Sequence, residues 1–262
     1  MLPLLFGVLF CLLFYSWLRW GMTPIAALVG SVAGLNKLLP FRVATLVVQV
    51  PLYGVPGIVI YSILSLVAPD SLVPFGVSAT GLVDGALVGI GLAAAGSALG
   101  RGSLVFTTLL FRRGGGRPKD PFKELESFAD TGWLRGYSLA QKYWPRAGYL
   151  LAFVGIAGEE FLHRGIVLPL CVKSLGVRYG LMLSIAIFVW FQAIGMPSLL
   201  VAQVPMAGAL VIGSVLGYLA ITDGRMFPLV LAHFVFFVCL VYLGPKAAEL
   251  RKGGARAQYA GY

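Results

Sequence analysis

The stretch YLLAFVGIAGEEFLHRGIVLPLCV (149–172) decides the fold, because it places ionisable side chains inside an otherwise apolar run of helical length. A charged side chain at the centre of a bilayer costs about 2.5–3.5 kcal/mol on insertion scales, so such residues usually face a bundle interior and have partners. Residues four apart share a helix face. The spacing therefore predicts one pair between Glu160 and Arg164 and a second pair between Glu159 and His163.

The composition of the whole chain is that of a membrane protein. Of its 262 residues, 59% are hydrophobic and 11% are charged, and the mean hydropathy is +0.90. This leaves too little polar surface for a soluble globule. The net charge of +10 is carried by basic residues that lie between the apolar runs, where loops facing anionic lipid headgroups collect them. We predict a multi-pass integral membrane protein that contacts membrane lipids and no nucleic acid.

Hydropathy predicts an all-α bundle of seven or eight transmembrane spans, because a helix needs about 20 apolar residues to cross the hydrocarbon core. Two further apolar segments, 24–36 and 103–111, are short enough to be interfacial or re-entrant, and one of them as a span would make eight. The seven predicted spans are approximately residues 2–20, 44–68, 76–99, 147–172, 179–195, 199–221 and 226–244.

A long polar segment divides the chain into two sets of spans. It begins with the basic, Gly-rich sequence RRGGGRPK (112–119), which is typical of a loop. Its second half is predicted to be an amphipathic helix at the membrane interface, with the docking of a substrate or partner as the alternative. The predicted regions are N-terminal spans 1–111, a polar basic loop 112–146, a four-helix core 147–244 and a basic tail 245–262.

The polar side chains that lipid would reject concentrate in the four-helix core. Besides those in 149–172 they are Gln192, Gln203 and His233. A lone histidine in an apolar helix is commonly a hydrogen-bonded structural residue. An acid pair, an arginine and a histidine in separate spans favour a functional site, because each is otherwise costly to bury.

Two motifs stand out in this core, GEEFLHRG (158–165) and GSVLGYLAITDGRMFPLVLAH (213–233). The first resembles the EExxxR signature of the CPBP intramembrane proteases, which include the type II CAAX prenyl proteases and bacteriocin-processing proteins. The second resembles the family's glycine-containing helix, turn and histidine helix. The resemblance covers about 147–240. It does not cover the N-terminal spans, where we interpret Asp84 as a bundle-facing, hydrogen-bonded acid.

The resemblance implies hydrolysis of a peptide bond within a helical membrane bundle. Glu159 matches the general base that acts on water. Glu160 and Arg164 match an orienting ion pair. His233 is the candidate for stabilising the oxyanion, an effect worth about 3–4 kcal/mol for one well-placed donor.

Two residues depart from the family's second and third motifs. FxxxH here reads Phe188 followed by Gln192, and HxxxN reads His233 followed by Phe237. Glutamine forms hydrogen bonds but does not shuttle protons, and phenylalanine does neither. His163 stands where the family usually has an aromatic or aliphatic residue. It is either a substitute for the missing histidine or a partner that neutralises Glu159.

Three functions follow from these residues. The leading hypothesis is a CPBP-like endopeptidase that cleaves a membrane-tethered peptide or protein. The alternative is a catalytically degenerate relative that acts as a structural, chaperone or scaffold subunit of a membrane complex. A transporter is less favoured, because we find no second acidic segment. No cofactor is expected, and zinc held by Glu159, His163 and His233 is a weaker alternative, since no HExxH-type pair is present.

Overall fold

The residues that the computed structural model describes are 21–38, 41–113, 142–194 and 198–243, with a few single positions elsewhere. They form helices and short connections, and no strand occurs among them. The all-α prediction is therefore confirmed for this part of the chain. The predicted span 2–20, most of the loop 112–146 and the tail 245–262 lie outside the described residues.

Short connections join the helices within each described range, and the largely undescribed residues 114–141 separate the helix that ends at Arg113 from the one that begins at Pro145. Wider π-helical turns, Phe161–Val167 and Val238–Leu243, continue the helices that end at Glu160 and Phe237, and 3₁₀ turns form at Leu35–Lys37 and Pro69–Ser71. The α-helices with defined bounds are α1 (Met22–Val32), α2 (Phe41–Val67), α3 (Ala79–Arg113), α4 (Pro145–Glu160), α5 (Leu168–Ile194), α6 (Leu199–Thr222) and α7 (Met226–Phe237).

Long apolar helices make the chain an integral membrane protein. In the described part, four helical runs are long and apolar enough to cross a membrane, and they are Ala44–Val67, Ala79–Leu110, Pro145–Ala193 and Leu200–Thr222. The seven or eight predicted spans are not confirmed by this count. Segment 103–111 is not separate, because it continues α3, which has 35 residues. Segment 24–36 lies largely in α1, which has 11 residues.

The longest apolar run consists of two arms joined at Gly176. This residue has φ +77° and ψ 168°, a left-handed conformation that favours glycine. A Cβ added at Gly180 would lie 2.6 Å from the backbone of Val172, so the chain turns back on itself. Leu162, well before Gly176 in the first arm, clusters with Phe191, near the end of the second. The arms are therefore antiparallel, and the sequence prediction divides two spans at this point.

Glycines allow α2 and α4 to pack backbone against backbone. A Cβ added at Gly57 would overlap the carbonyl of Gly158, and one added at Gly158 would overlap the backbone of Gly54. Small residues give membrane helices this close approach, because the packing of their backbones replaces the hydrophobic effect as a driving force. The contact places Tyr53 of α2 beside the acidic end of α4.

We expect Gly158→Ala to lower the free energy of unfolding by about 1–3 kcal/mol, because the added methyl has no room against Gly54. Equilibrium or thermal unfolding in detergent measures the change. Gly91→Ala is the matched control, since a Cβ at Gly91 meets no heavy atom within 4 Å. Equal stability of the two variants would contradict the backbone contact between α2 and α4.

A second set of glycines joins α3 to α7. Gly81, Gly85 and Gly89 are four residues apart and are buried along one face of α3. A Cβ added at Gly89 would lie 2.5 Å from the carbonyl oxygen of Ala232. The backbone of α7 therefore rests directly on α3. This contact fixes the position of His233, the next residue along α7.

Arg225 ties the turn between α6 and α7 to the start of α3. Its Nε donates to Asp223 Oδ2 at 2.9 Å and its Nη1 donates to Ser78 Oγ at 2.7 Å. The hydrogen bonds to Asp223 raise the pKa of Arg225, so the guanidinium remains charged. Asp84 is exposed and interacts electrostatically with Arg225. The bundle-facing interpretation of Asp84 is wrong, because glycines occupy the buried face of α3.

Candidate active site

The ionisable residues at the end of α4 lie in a buried site shared with α2, α5 and α7. Each of the two glutamates is the neighbour of a different group of side chains. The structure brings together most of the residues proposed from sequence, and their relative exposures are 7% for Glu159, 0% for Glu160, 1% for His163, 2% for Arg164, 9% for Gln192 and 6% for His233.

Glu160 forms the charged half of the site. Its Oε1 lies 3.0 Å from Nη1 of Arg164 and 2.7 Å from Nδ1 of His233. The predicted pairing of Glu160 with Arg164 is therefore present. Nη1 does not reach hydrogen-bond geometry with any described group, so charge rather than an aligned hydrogen bond holds this pair. A carboxylate on Nδ1 orients the imidazole and leaves Nε2 for other chemistry.

Arg164 also stacks on an aromatic ring. Its guanidinium carbon lies 3.9 Å from the ring centroid of Phe188, which is the first residue of the second motif. A cation over a desolvated ring gains about 2 kcal/mol. Phe188 therefore holds Arg164 in place beside Glu160.

Glu159 forms the second half of the site. It accepts hydrogen bonds from Nε2 of Gln192 and from the hydroxyl of Tyr53. Gln192 also bonds to the Tyr53 side chain. The residue that replaces the second-motif histidine therefore touches the candidate base. His233 interacts electrostatically with Glu159, although its Nδ1 bonds to Glu160.

His163 does not pair with Glu159. Neither of its ring nitrogens has a hydrogen-bond partner among the described groups. The ring packs edge-on against Phe188 and Phe191, with centroid distances of 4.9 and 5.2 Å. The predicted pair is therefore wrong, because the imidazole lies against aromatic side chains of α5 and not on the carboxylate. The backbone here is π-helical, with the Leu168 N–H bonded to the His163 carbonyl five residues back.

We expect His163→Phe to leave the protein as stable as the original chain or about 1–3 kcal/mol more stable. The phenyl ring keeps the aromatic contacts with Phe188 and Phe191, and the substitution removes two buried polar atoms that lack partners among the described groups. Thermal unfolding in detergent gives the change. A large loss of stability would show that the imidazole has a polar partner that is essential to the fold.

Two candidate positions do not add polar groups to the site. Oε1 of Gln203 accepts a hydrogen bond from Thr107 at 2.9 Å, so this side chain joins α6 to α3. At the position of the third-motif amide, the ring of Phe237 packs against Tyr137 with a centroid distance of 4.8 Å. Neither Gln203 nor Phe237 is therefore a polar partner of the glutamates or of His233.

The site lies inside the bundle rather than in an open cleft. A cavity of about 210 Å³ lies elsewhere, and none of its lining residues belongs to the site. Its lining consists of Asp70, Leu72, Val73, Leu168, Pro169, Val172, Ala220 and Ile221. Within the described residues, no group of three His, Cys, Asp or Glu side chains is arranged to hold a metal ion.

Tyr53 is the site residue that sequence reasoning missed. It lies in VPLYGVPG (50–57), where a hydroxyl stands in an apolar run beside two glycines. The glycines were a usable signal, because they mark a face on which another helix can approach closely. The hydroxyl in turn needs a hydrogen-bond partner when it is buried.

Together these features define a multi-pass helical membrane protein with a buried Glu–Arg–His site. Residues 142–239 match the model of the family described as Type II CAAX prenyl endopeptidase Rce1-like, which confirms the family resemblance seen in the sequence. Comparison with curated proteins and comparison with solved structures give no match.

Proposed function

We propose that the protein is an intramembrane endopeptidase in which Glu159 activates a water molecule against a peptide bond presented at the membrane. The observation that carries this proposal is the meeting of Glu159, the Glu160–Arg164 pair and His233 in one buried site. These residues come from two separate helices of the segment that matches the endopeptidase family. Burial of so many ionisable groups in a membrane bundle favours function over chance.

Glu159 is the proposed general base. Its carboxylate takes a proton from water as the water oxygen attacks the peptide carbonyl, and the same proton passes to the amine when the C–N bond breaks. Hydrogen bonds from Gln192 and Tyr53 hold the carboxylate in one orientation. A fixed orientation matters because small displacements of a catalytic group cost large factors in rate.

His233 is the proposed donor to the oxyanion. In the imidazolium form of His233, Nδ1–H donates to Glu160 at 2.7 Å and Nε2–H is left to donate to the oxyanion. Glu160 also compensates the charge of Arg164, and Phe188 covers the guanidinium. In this scheme Glu160 and Arg164 are positioning residues that act through His233. The scheme resembles the carboxylate–histidine pairs of hydrolases, in which the acid orients the ring.

The proposed substrate is a membrane-tethered peptide or protein, because the site is buried between apolar helices. The name of the matched family includes a prenyl group and a CAAX sequence. A prenylated carboxyl-terminal peptide is therefore the first substrate to test. Its lipid would hold the peptide in the bilayer next to the site.

The test uses the purified full chain in proteoliposomes, with a farnesylated CAAX peptide and the same peptide without the lipid. Mass spectrometry of the products identifies the cleaved bond. We expect cleavage of the lipidated peptide, while liposomes that carry Glu159→Gln protein report any contaminating protease. Absence of cleavage across a panel of lipidated and transmembrane peptides would overturn the proposal.

A catalytically degenerate scaffold is the second candidate. Phe237 stands where the third motif has an amide and Gln192 stands where the second motif has a histidine. Stable copurification with partner subunits, combined with full biological function of Glu159→Gln, would favour this role. Increased proteolysis by the double variant Gln192→His/Phe237→Asn would instead show that the fold still supports the chemistry.

A further inference from the structure

We propose that Tyr53 is a positioning residue for Glu159 and supplies the hydrogen-bond partner with an exchangeable proton that the amide of Gln192 does not provide. This inference rests on the proposed function, because it gives Tyr53 a part in that reaction. The tyrosine lies outside the segment that matches the family, since the match begins at residue 142. The group proposed to compensate for the missing histidine therefore comes from the N-terminal part of the chain.

The contact between Tyr53 and Glu159 is built into the packing of α2 on α4. Gly54 and Gly158 meet backbone to backbone, and each stands next in sequence to one of the two interacting residues. The glycine contact thus brings hydroxyl and carboxylate together. Phe191 lies against the tyrosine ring with a centroid distance of 6.1 Å, and the side chain is only 8% exposed. These neighbours restrict the ring to one position.

Tyr53 and Gln192 contribute different chemistry to Glu159. The amide of Gln192 donates a hydrogen bond but does not exchange its proton. A tyrosine hydroxyl both donates and accepts. Because Tyr53 bonds to Glu159 and to Gln192, the three side chains form a closed set in which the hydroxyl, unlike the amide, can exchange a proton with the carboxylate. The loss of histidine at 192 is therefore compensated for by a group from another helix.

A second tyrosine borders the other altered position. Tyr137 is 2% exposed and packs its ring against Phe237. It also interacts electrostatically with Tyr53. The two rings therefore line the side of the site where Gln192 and Phe237 replace the expected residues.

The test compares Tyr53→Phe with Tyr61→Phe in the proteoliposome assay. Tyr53→Phe keeps the ring and removes the hydroxyl, so we expect kcat to fall on the order of 100-fold with little change in KM. Tyr61 lies two turns further along α2, and its hydroxyl donates to the carbonyl of Val73. Tyr61→Phe should therefore keep the original kcat. Equal kcat values for both variants would overturn the proposal.

A rescue experiment separates positioning from general damage. If Tyr53 stands in for the missing histidine, the double variant Tyr53→Phe/Gln192→His should recover much of the kcat that Tyr53→Phe loses. A purely structural role predicts no recovery. Thermal unfolding of each variant shows that the comparison concerns folded protein.

Infrared spectroscopy gives a readout that does not depend on cleavage. Acidification of the protein in bilayers produces the C=O stretching band of protonated Glu159, which is assigned by its absence from Glu159→Gln. Loss of the hydroxyl in Tyr53→Phe should move this band to higher frequency, and Tyr61→Phe should not move it. If the band does not move in Tyr53→Phe, Tyr53 does not position Glu159. If the band moves but the protein cleaves no peptide, the endopeptidase activity is refuted. The contact between Tyr53 and Glu159 is then still supported.

Discussion

Glu159→Gln is expected to lower kcat for peptide cleavage by about 10²–10⁴-fold and to leave the protein folded. The amide has nearly the shape of the carboxyl group and can still accept hydrogen bonds from Gln192 and Tyr53. It cannot take a proton from water, so the attacking nucleophile is not formed. Initial rates with the lipidated peptide, measured at equal amounts of folded protein, give the ratio.

The matched control for this substitution is Gln203→Ala. Gln203 is another polar side chain of the membrane core, but it bonds to Thr107 and lies outside the site. The Gln203→Ala variant should therefore retain full activity. Unchanged cleavage by Glu159→Gln would mean that this carboxylate is not the base. The assignment of the proton transfer would then have to move to Glu160 or His233.

Arg164→Leu is expected to lower the free energy of unfolding by about 3–5 kcal/mol. Glu160 has no exposed surface, and the substitution leaves its charge with His233 as its remaining partner at Oε1. Breaking one side of a buried pair is costly, because the other charge stays buried without compensation. The stacking of the guanidinium on Phe188 is lost as well. Unfolding in detergent or in bilayers measures the difference.

A double variant decides whether this loss comes from uncompensated charge. Arg164→Leu/Glu160→Leu removes both charges, and apolar replacements of a buried pair are often neutral in stability. We therefore expect the double variant to be more stable than Arg164→Leu alone. If the two proteins unfold alike, packing against Phe188 rather than charge explains the effect of Arg164.

The sequence was sufficient to predict the Glu160–Arg164 pair, but the Glu159–His163 pair that it also predicted is wrong. Both predictions used the spacing of four residues in an α-helix. The first pair forms at 3.0 Å. The Glu159–His163 pair does not form, because the imidazole packs against Phe188 and Phe191 while Glu159 bonds to Gln192 and Tyr53. These partners lie on other helices, and spacing along one helix does not reveal them.

Contacts between distant segments were the second limit of the sequence. The family motifs identified Gln192 as a member of the site, and the structure places its amide on Glu159. Tyr53 belongs to no motif of this kind. Its partner depends on which helix packs on the glycines of α2. This packing is determined by the folded bundle and not by local sequence. The cation–π contact of Arg164 with Phe188 depends on tertiary packing in the same way.

The π-helical segment Phe161–Val167 also makes the site sensitive to the length of the chain. A π turn holds more residues than an α turn, so loss of one residue would allow a regular α-helix to run through this segment. The deletion and the return to about 100° per residue nearly cancel in rotation, so the rest of the first arm and the hairpin at Gly176 would keep their orientation. The side chains of the segment itself would shift, and the Arg164 guanidinium would lose its position between Glu160 and Phe188.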